Sequence, residues 1–207
     1  MMPIFLDLRD QTIVIVGAGP VARRKLTILT SQAARIRVVA LEPRPEWFPE
    51  TLGEWHQGEY SVEVLTGASL VIAAATPAVN AQVVADALAR GIWICDAAEP
   101  DRGNVHFPAT FSRRRFTLAV STDGIAPALA ARIRDKLAED FDDHFQQWLE
   151  LLAELRQVVR QRIDNARCRG ELLREFSDWR WLEQLRRDGL EPVRERMIHA
   201  VESASTG

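Results

Sequence analysis

Two stretches of the chain hold residues whose types and spacing suit chemistry. The first is Thr12-Ile13-Val14-Ile15-Val16-Gly17-Ala18-Gly19-Pro20-Val21-Ala22, an apolar strand running into a glycine turn. Gly17 permits the tight turn, Gly19 lets the backbone approach a pyrophosphate, and the small Ala22 lets the next helix sit close to the sheet. Backbone N–H groups at that helix start suit phosphate oxygens. The second stretch is Cys95-Asp96-Ala97-Ala98-Glu99-Pro100-Asp101, followed by His106. Its acids come just after a strand-like segment, where ligands sit in open α/β sheets, so a proton acceptor belongs there. Imidazole also suits proton handling near neutral pH, which makes His106 a second candidate. The plainer readings are a solvated acidic loop and a packed or surface histidine.

The elements that must position these groups are legible in the pattern. Ala22-Arg23-Arg24-Lys25-Leu26-Thr27-Ile28-Leu29 carries helix formers, and Ile36-Arg37-Val38-Val39-Ala40-Leu41 is a second apolar strand. Glu42 follows the glycine turn by about 20 residues, the spacing of an acid that holds the adenosine ribose hydroxyls. A carboxylate there repels a ribose phosphate, so NAD is expected rather than NADP. Residues 42–58 read as a loop rich in proline and tryptophan, and the alternation of 61–65 predicts a minor strand. Residues 70–75 form a continuous apolar run suited to a buried parallel strand. Ala75 and Thr76 stand at its end, Pro77 stops it, and a helix is predicted over 79–90 with Gly91 closing it. Residues 92–95 are the next strand. This alternation of strand and helix implies an α/β fold, a Rossmann-type parallel sheet.

The character changes after Phe111. A strand at 116–120 leads into Ser121-Thr122-Asp123-Gly124, and the chain is helical from Pro127 onward. Leu129, Ile133, Leu137 and Phe141 recur every fourth residue and predict one apolar face. Trp148, Leu151, Leu152, Leu155, Val158 and Val159 continue as a second stripe. Shorter helices are expected around 171–176, 178–187 and 192–201, with residues 203–207 frayed. The expected division is a dinucleotide-binding domain over 1–112 and a dimerisation strand with a helical domain over 113–207. So much amphipathic helix seldom buries its apolar faces alone, which points to a homodimer.

Composition narrows the function further. A net charge of -3 over 207 residues gives no reason to expect a nucleic-acid partner. No apolar run approaches the roughly 20 residues of a membrane helix. The first residues lack the basic and apolar regions of a signal peptide, so a cytoplasmic protein is expected. The two cysteines, Cys95 and Cys168, have no C-x-x-C partner, which argues against a disulfide framework or a zinc site, and no fixed metal site is expected.

Taken together, these motifs resemble the precorrin-2 dehydrogenases of sirohaem synthesis, including the N-terminal module of bacterial sirohaem synthase. The resemblance runs through Pro3-Ile4-Phe5 and Leu8-Arg9-Asp10, then Gly17 to Lys25, then Ala74-Ala75-Thr76 with Val79-Asn80. It continues through Phe107-Pro108-Ala109, and through Leu118 to Thr122 with Gly124, Pro127, Leu129-Ala130 and Ile133-Arg134. It covers nearly the whole chain. The large methyltransferase domain fused behind this module in some bacteria is not in the sequence, so a stand-alone form is expected.

The resemblance implies NAD-dependent oxidation of precorrin-2 to sirohydrochlorin, with a hydride passing to the nicotinamide and a proton leaving to a base. Some members also insert ferrous iron into the product, so iron is an expected substrate of a second reaction. It places the cofactor over Gly17, Gly19, Pro20, Val21, Ala22, Glu42, Ala75 and Thr76. The family's acid–base aspartate lies in an Asn-x-x-Asp run after the strand at 92–95. Counting from Cys95 puts it on Glu99 and the asparagine on Asp96, whereas counting back from Pro100 gives Ala98. The loop is one residue short, and both alignments stay open, with Glu99 the favoured acid–base residue, ahead of Asp101 and Asp96. Glutamate keeps the chemistry but moves the carboxylate by about 1.5 Å. The eight carboxylates of the tetrapyrrole call for cationic and backbone contacts, for which Arg113, His106, Ser121, Thr122 and Gly124 are candidates. Arg114, Arg115, Arg132 and Arg134 are weaker ones, and Asp123 replaces a residue usually glycine in the family. Two other readings fit: a non-catalytic NAD- or tetrapyrrole-binding protein, and a chelatase acting without NAD.

Overall fold

A computed structural model of the chain describes residues 1–30 and 34–205. The chain divides into two compact units, Met1–Phe107 and Pro108–Gly207.

The first unit is built on five parallel strands: β1 (Thr12–Val16), β2 (Arg35–Ala40), β3 (Gly53–Gln57), β4 (Ala68–Ala73) and β5 (Trp93–Asp96), in the order β3-β2-β1-β4-β5. Alternation along β1 splits the core between the two faces. Ile13 and Ile15 pack with Leu26 and Leu29 of α1 (Pro20–Thr30), and Val14 and Val16 pack with Val83 and Ala87 of α2 (Pro77–Ala89). Because both faces are covered, the buried parts of β1 and β4, residues 13–16 and 70–73, are continuous apolar runs. The strand order reverses between β1 and β4, and the crevice beyond their C-terminal ends is where such sheets bind ligands.

Two expectations here are corrected. The segment 42–58 is not all loop, because Gly53–Gln57 pairs with β2 as the edge strand β3. Its sequence, GEWHQ, faces an edge and so needs no apolar alternation. Residues Val62–Leu65 form a 3-10 turn rather than a strand. The Arg37 guanidinium donates to the carbonyls of Val64 and Thr66, satisfying groups that a strand neighbour would otherwise take.

The second unit opens with an antiparallel hairpin, β6 (Ala109–Arg113) and β7 (Phe116–Val120), followed by five helices. These are α3 (Pro127–Ala138), α4 (Asp143–Arg162), α5 (Ala166–Phe176), α6 (Arg180–Asp188) and α7 (Leu190–Ser205). A boundary at 112/113 would cut this hairpin, and the division falls instead between Phe107 and Pro108. Trp148, Leu151, Leu155 and Val159 of α4 close a core with Leu182 and Leu185 of α6 and Val193, Met197 and Val201 of α7. Asp142 caps α4 by accepting the Phe145 N–H at 2.9 Å. The apolar row of α3 ends early: Phe141 lies beyond the helix and packs its ring on Phe116 and Phe145. Residues 203–205 are helical, and the rest of the expected frayed tail, Thr206 and Gly207, lies outside the described residues.

Candidate functional site

Four loops converge at the C-terminal edge of the parallel sheet. The Gly17 N–H donates to the Val39 carbonyl at 2.8 Å and the Ala74 N–H to Val16 at 2.8 Å, so the turns after β1 and β4 are fixed to neighbouring strands. Gly17 takes φ +107, and a Cβ there would lie 2.3 Å from the Ala74 carbonyl oxygen. Only glycine lets the two strand ends approach this closely. Gly19, by contrast, faces open space, with nothing within 4 Å of an added Cβ.

That open side borders a cavity of about 440 Å³ lined by Ala18, Gly19, Pro20, Arg23, Arg24, Thr27 and Trp47. The cavity combines the start of an α-helix, two guanidinium groups and an indole, which suits the anionic and planar parts of a dinucleotide. Pro20 brings no N–H, so the free donors of the first helical turn come from Val21 and Ala22. Arg23 lies over the Trp47 ring at 5.6 Å. Beyond β2, Glu42 is exposed, and its backbone carbonyl accepts the Trp55 indole N–H at 3.1 Å. That bond pins the loop that presents its carboxylate. Ala75 and Thr76 are exposed at the end of β4, and Thr76 is the N-cap of α2.

At the end of β5 and just beyond it the acids separate into different environments. Asp96 is buried, and its Oδ1 accepts from the N–H groups of Ala98 at 2.9 Å and Glu99 at 3.1 Å. Glu99 is exposed and pairs with Arg102 at 2.8 Å. An exposed pair of this kind is worth about 0–1 kcal/mol, so the carboxylate is readily released. His106 is half-buried on the segment leading out of the unit. At the next residue in the chain, the Lys25 ammonium lies 4.1 Å from the centre of the Phe107 ring. Burial pushes the Lys25 ammonium below the usual lysine range. Burial also pushes the Cys95 thiol up, so it is a packed thiol rather than a nucleophile.

Asn80, which the sequence placed within the resemblance but to which it assigned no role, links the two sides of the site. Its carboxamide oxygen accepts the Ala75 N–H at 2.9 Å, and its Nδ2 donates to Asp96 Oδ1 at 3.2 Å. The signal was available: Asn80 shares the inward face of α2 with Val83, Val84 and Ala87, and a polar side chain at a core position demands partners.

In the second unit, Ser121, Thr122 and Gly124 form a tight turn. Ser121 Oγ accepts the Asp123 N–H at 3.1 Å and Thr122 Oγ1 accepts the Ala126 N–H at 3.1 Å. Asp123 and Gly124 have φ 53 and 81, the left-handed pair that an Asp-Gly sequence favours. That accounts for an aspartate at position 123 without reference to a ligand. Arg113 donates to the Phe141 carbonyl at 3.1 Å and pairs with Asp143 at 3.3 Å. Arg114 pairs with Glu150, and both Arg114 and Arg115 are exposed. Among the described residues, no three His, Cys, Asp or Glu side chains gather as a metal site. No helix there is long and apolar enough to cross a membrane.

The reversed strand order, the glycine turn at the reversal and the open backbone at Gly19 define a dinucleotide-binding protein of the Rossmann type. A family model described as NAD(P)-binding matches residues 4–109, and one described as sirohaem biosynthesis protein, central, matches 116–139. A precorrin-2 dehydrogenase from Priestia megaterium is 30% identical over 187 residues, covering 86% of this chain and 90% of that protein. The chain belongs to the precorrin-2 dehydrogenase family. A siroheme synthase from Photorhabdus laumondii is 34% identical over 172 residues, and the match covers 81% of this chain but only 37% of that protein. The solved structure of SirC, a precorrin-2 dehydrogenase, superposes with a TM-score of 0.77 at 27% identity, covering 98% of this chain and 100% of the other.

Proposed function

We propose that this chain oxidises precorrin-2 to sirohydrochlorin with NAD in sirohaem biosynthesis. The observation that carries the reading is the close approach of Gly17 to Ala74 at the sheet's switch point, in a chain whose family match spans both units. NAD, when bound, supplies the acceptor for the hydride that leaves the substrate. Gly17, Gly19, Val21 and Ala22 hold its phosphates, Glu42 its ribose, and Ala75 and Thr76 border the nicotinamide end. Pro20 shapes the turn without donating. Glu99 accepts the proton that leaves as the hydride does, opening its pair with Arg102 to do so.

For the substrate's carboxylates, His106 is the proposed contact in the first unit. Ser121, Thr122, Gly124 and Arg113 are those in the second, with Arg113 turning from Asp143. Ferrous iron is proposed as the substrate of a second, proton-releasing reaction on the same product. A homodimer is part of the reading, supported by Ile125, Leu129, Ile133 and Leu137, which leave α3 and the turn before it with an exposed apolar row. A cytoplasmic setting is consistent with Cys95 and Cys168 remaining free thiols.

The test is anaerobic incubation of the purified chain with precorrin-2 and NAD. NADH formation that requires both reactants supports the reading. Binding of both without NADH favours a carrier, and iron insertion without NAD favours a chelatase.

A further inference from the structure

Among the described residues, Asp96 is the one charged side chain that is almost completely buried, at 1% exposure. Its Oδ1 collects three donors: the N–H groups of Ala98 and Glu99 and the Asn80 amide. Its Oδ2 is buried with no partner. A carboxylate left half-matched in the interior is unfavourable, and packing alone does not require one at this point. What the carboxylate does achieve is a junction. Through Asn80 it reaches the Ala75 N–H at the end of β4, and directly it holds the peptides of 98 and 99 beyond β5.

We infer that Asp96 is a positioning residue that fixes the backbone from which Glu99 presents its carboxylate, tying that backbone to the cofactor side of the sheet through Asn80. The inference rests on the proton-accepting role proposed for Glu99. Glu99 has one more methylene than the aspartate usual in the family, and so more freedom to misplace its carboxylate. An anchored backbone restricts that freedom, and displacements of about 1 Å matter in an oriented proton transfer.

The test compares wild type, Asp96→Ala, Asp96→Asn, Glu99→Ala and the Asp96→Ala/Glu99→Ala pair, measuring NAD affinity and the kcat of precorrin-2 oxidation. Asp96→Ala is expected to lower kcat about tenfold or more while the NAD dissociation constant moves less than about threefold. Asp96→Asn keeps an acceptor oxygen for Ala98 and Glu99 and should stay within about threefold of wild type. In the Glu99→Ala background, Asp96→Ala should change kcat by less than about threefold, because the residue acts through Glu99. Equal losses in both backgrounds, or an Asp96→Asn as damaged as Asp96→Ala, overturn the inference. If Asp96→Ala does not fold, Asp96→Cys fills the space without the acceptor and carries the same comparison. Amide exchange reads the anchoring without any turnover. The Ala98 and Glu99 amides should exchange about tenfold faster or more when Asp96 is replaced by Ala or Cys, and unchanged exchange overturns the inference. A wild type that forms no NADH sinks the proposed oxidation instead, while the exchange result still decides whether Asp96 anchors the loop.

Discussion

Gly17 and Ala74 meet where the strand order reverses, so closely that a single methyl on Gly17 would fall 2.3 Å from the Ala74 carbonyl. The contact brings the phosphate-binding turn and the end of β4 together. Gly17→Ala must shift backbone as well as relieve a φ of +107, a combination that costs about 2 kcal/mol or more. The expected outcome is a lowered melting temperature and a loss of NAD affinity of at least about tenfold. Calorimetric titration with NAD checks it, and undiminished affinity would show that the turn tolerates a side chain.

Glu42 is held by its own backbone carbonyl against Trp55, so its side chain can be replaced without freeing the loop. Glu42→Ala is expected to weaken NAD binding by about tenfold, the worth of a hydrogen bond to a charged group, and to narrow the preference over NADP. Parallel titrations with the two cofactors measure this. An unchanged ratio would remove Glu42 from the ribose site.

Asp142 gives a stability prediction independent of catalysis. Burial pushes its carboxyl up, but the Phe145 N–H and Arg186 outweigh burial and leave it below the usual carboxylate range. A lowered folded value means that the stabilisation is complete above the usual value of about 3.9 and is lost as pH falls through the folded one. Asp142→Ala should cost about 1 kcal/mol, or roughly 2–4 °C in melting temperature, at neutral pH. The gap between variant and wild type should begin to narrow as pH falls below about 4 and go on narrowing through the lowered folded value, and a gap that does not narrow would assign the effect to something other than the charge.

Leu129 and Ile133 are exposed on α3, at 52% and 37%. If they pair with a second copy, Ile133→Glu should convert the dimer to monomer while leaving the far-ultraviolet circular dichroism unchanged. Light scattering reads the mass. A wild type that is monomeric at micromolar concentration would remove the dimer from the account.

What was legible in the sequence follows from burial. β1 and β4 stand out because their stretches covered on both faces, residues 13–16 and 70–73, are unbroken apolar runs, and the glycine turn stands out because Gly17 has no substitute at so close an approach. β3 did not stand out, since an edge strand reading GEWHQ carries neither an apolar run nor an alternation. Val62–Leu65 misled because Val62 and Val64 in alternation look alike in a strand and in a turn whose Val64 carbonyl Arg37 satisfies. At the site, the glycine turn and the acids after β5 could be located. Their division of labour could not, because the burial of Asp96 depends on Asn80, a partner that only the pairing of β4 with β5 brings into reach.

The most direct test of the central claim is a stoichiometry. Under anaerobic conditions, wild-type chain given limiting precorrin-2 and excess NAD should yield equal amounts of NADH and sirohydrochlorin, and Gly17→Ala should yield neither at a comparable rate. Sirohydrochlorin without matching NADH, or no turnover from a chain that demonstrably binds both reactants, would contradict the assignment.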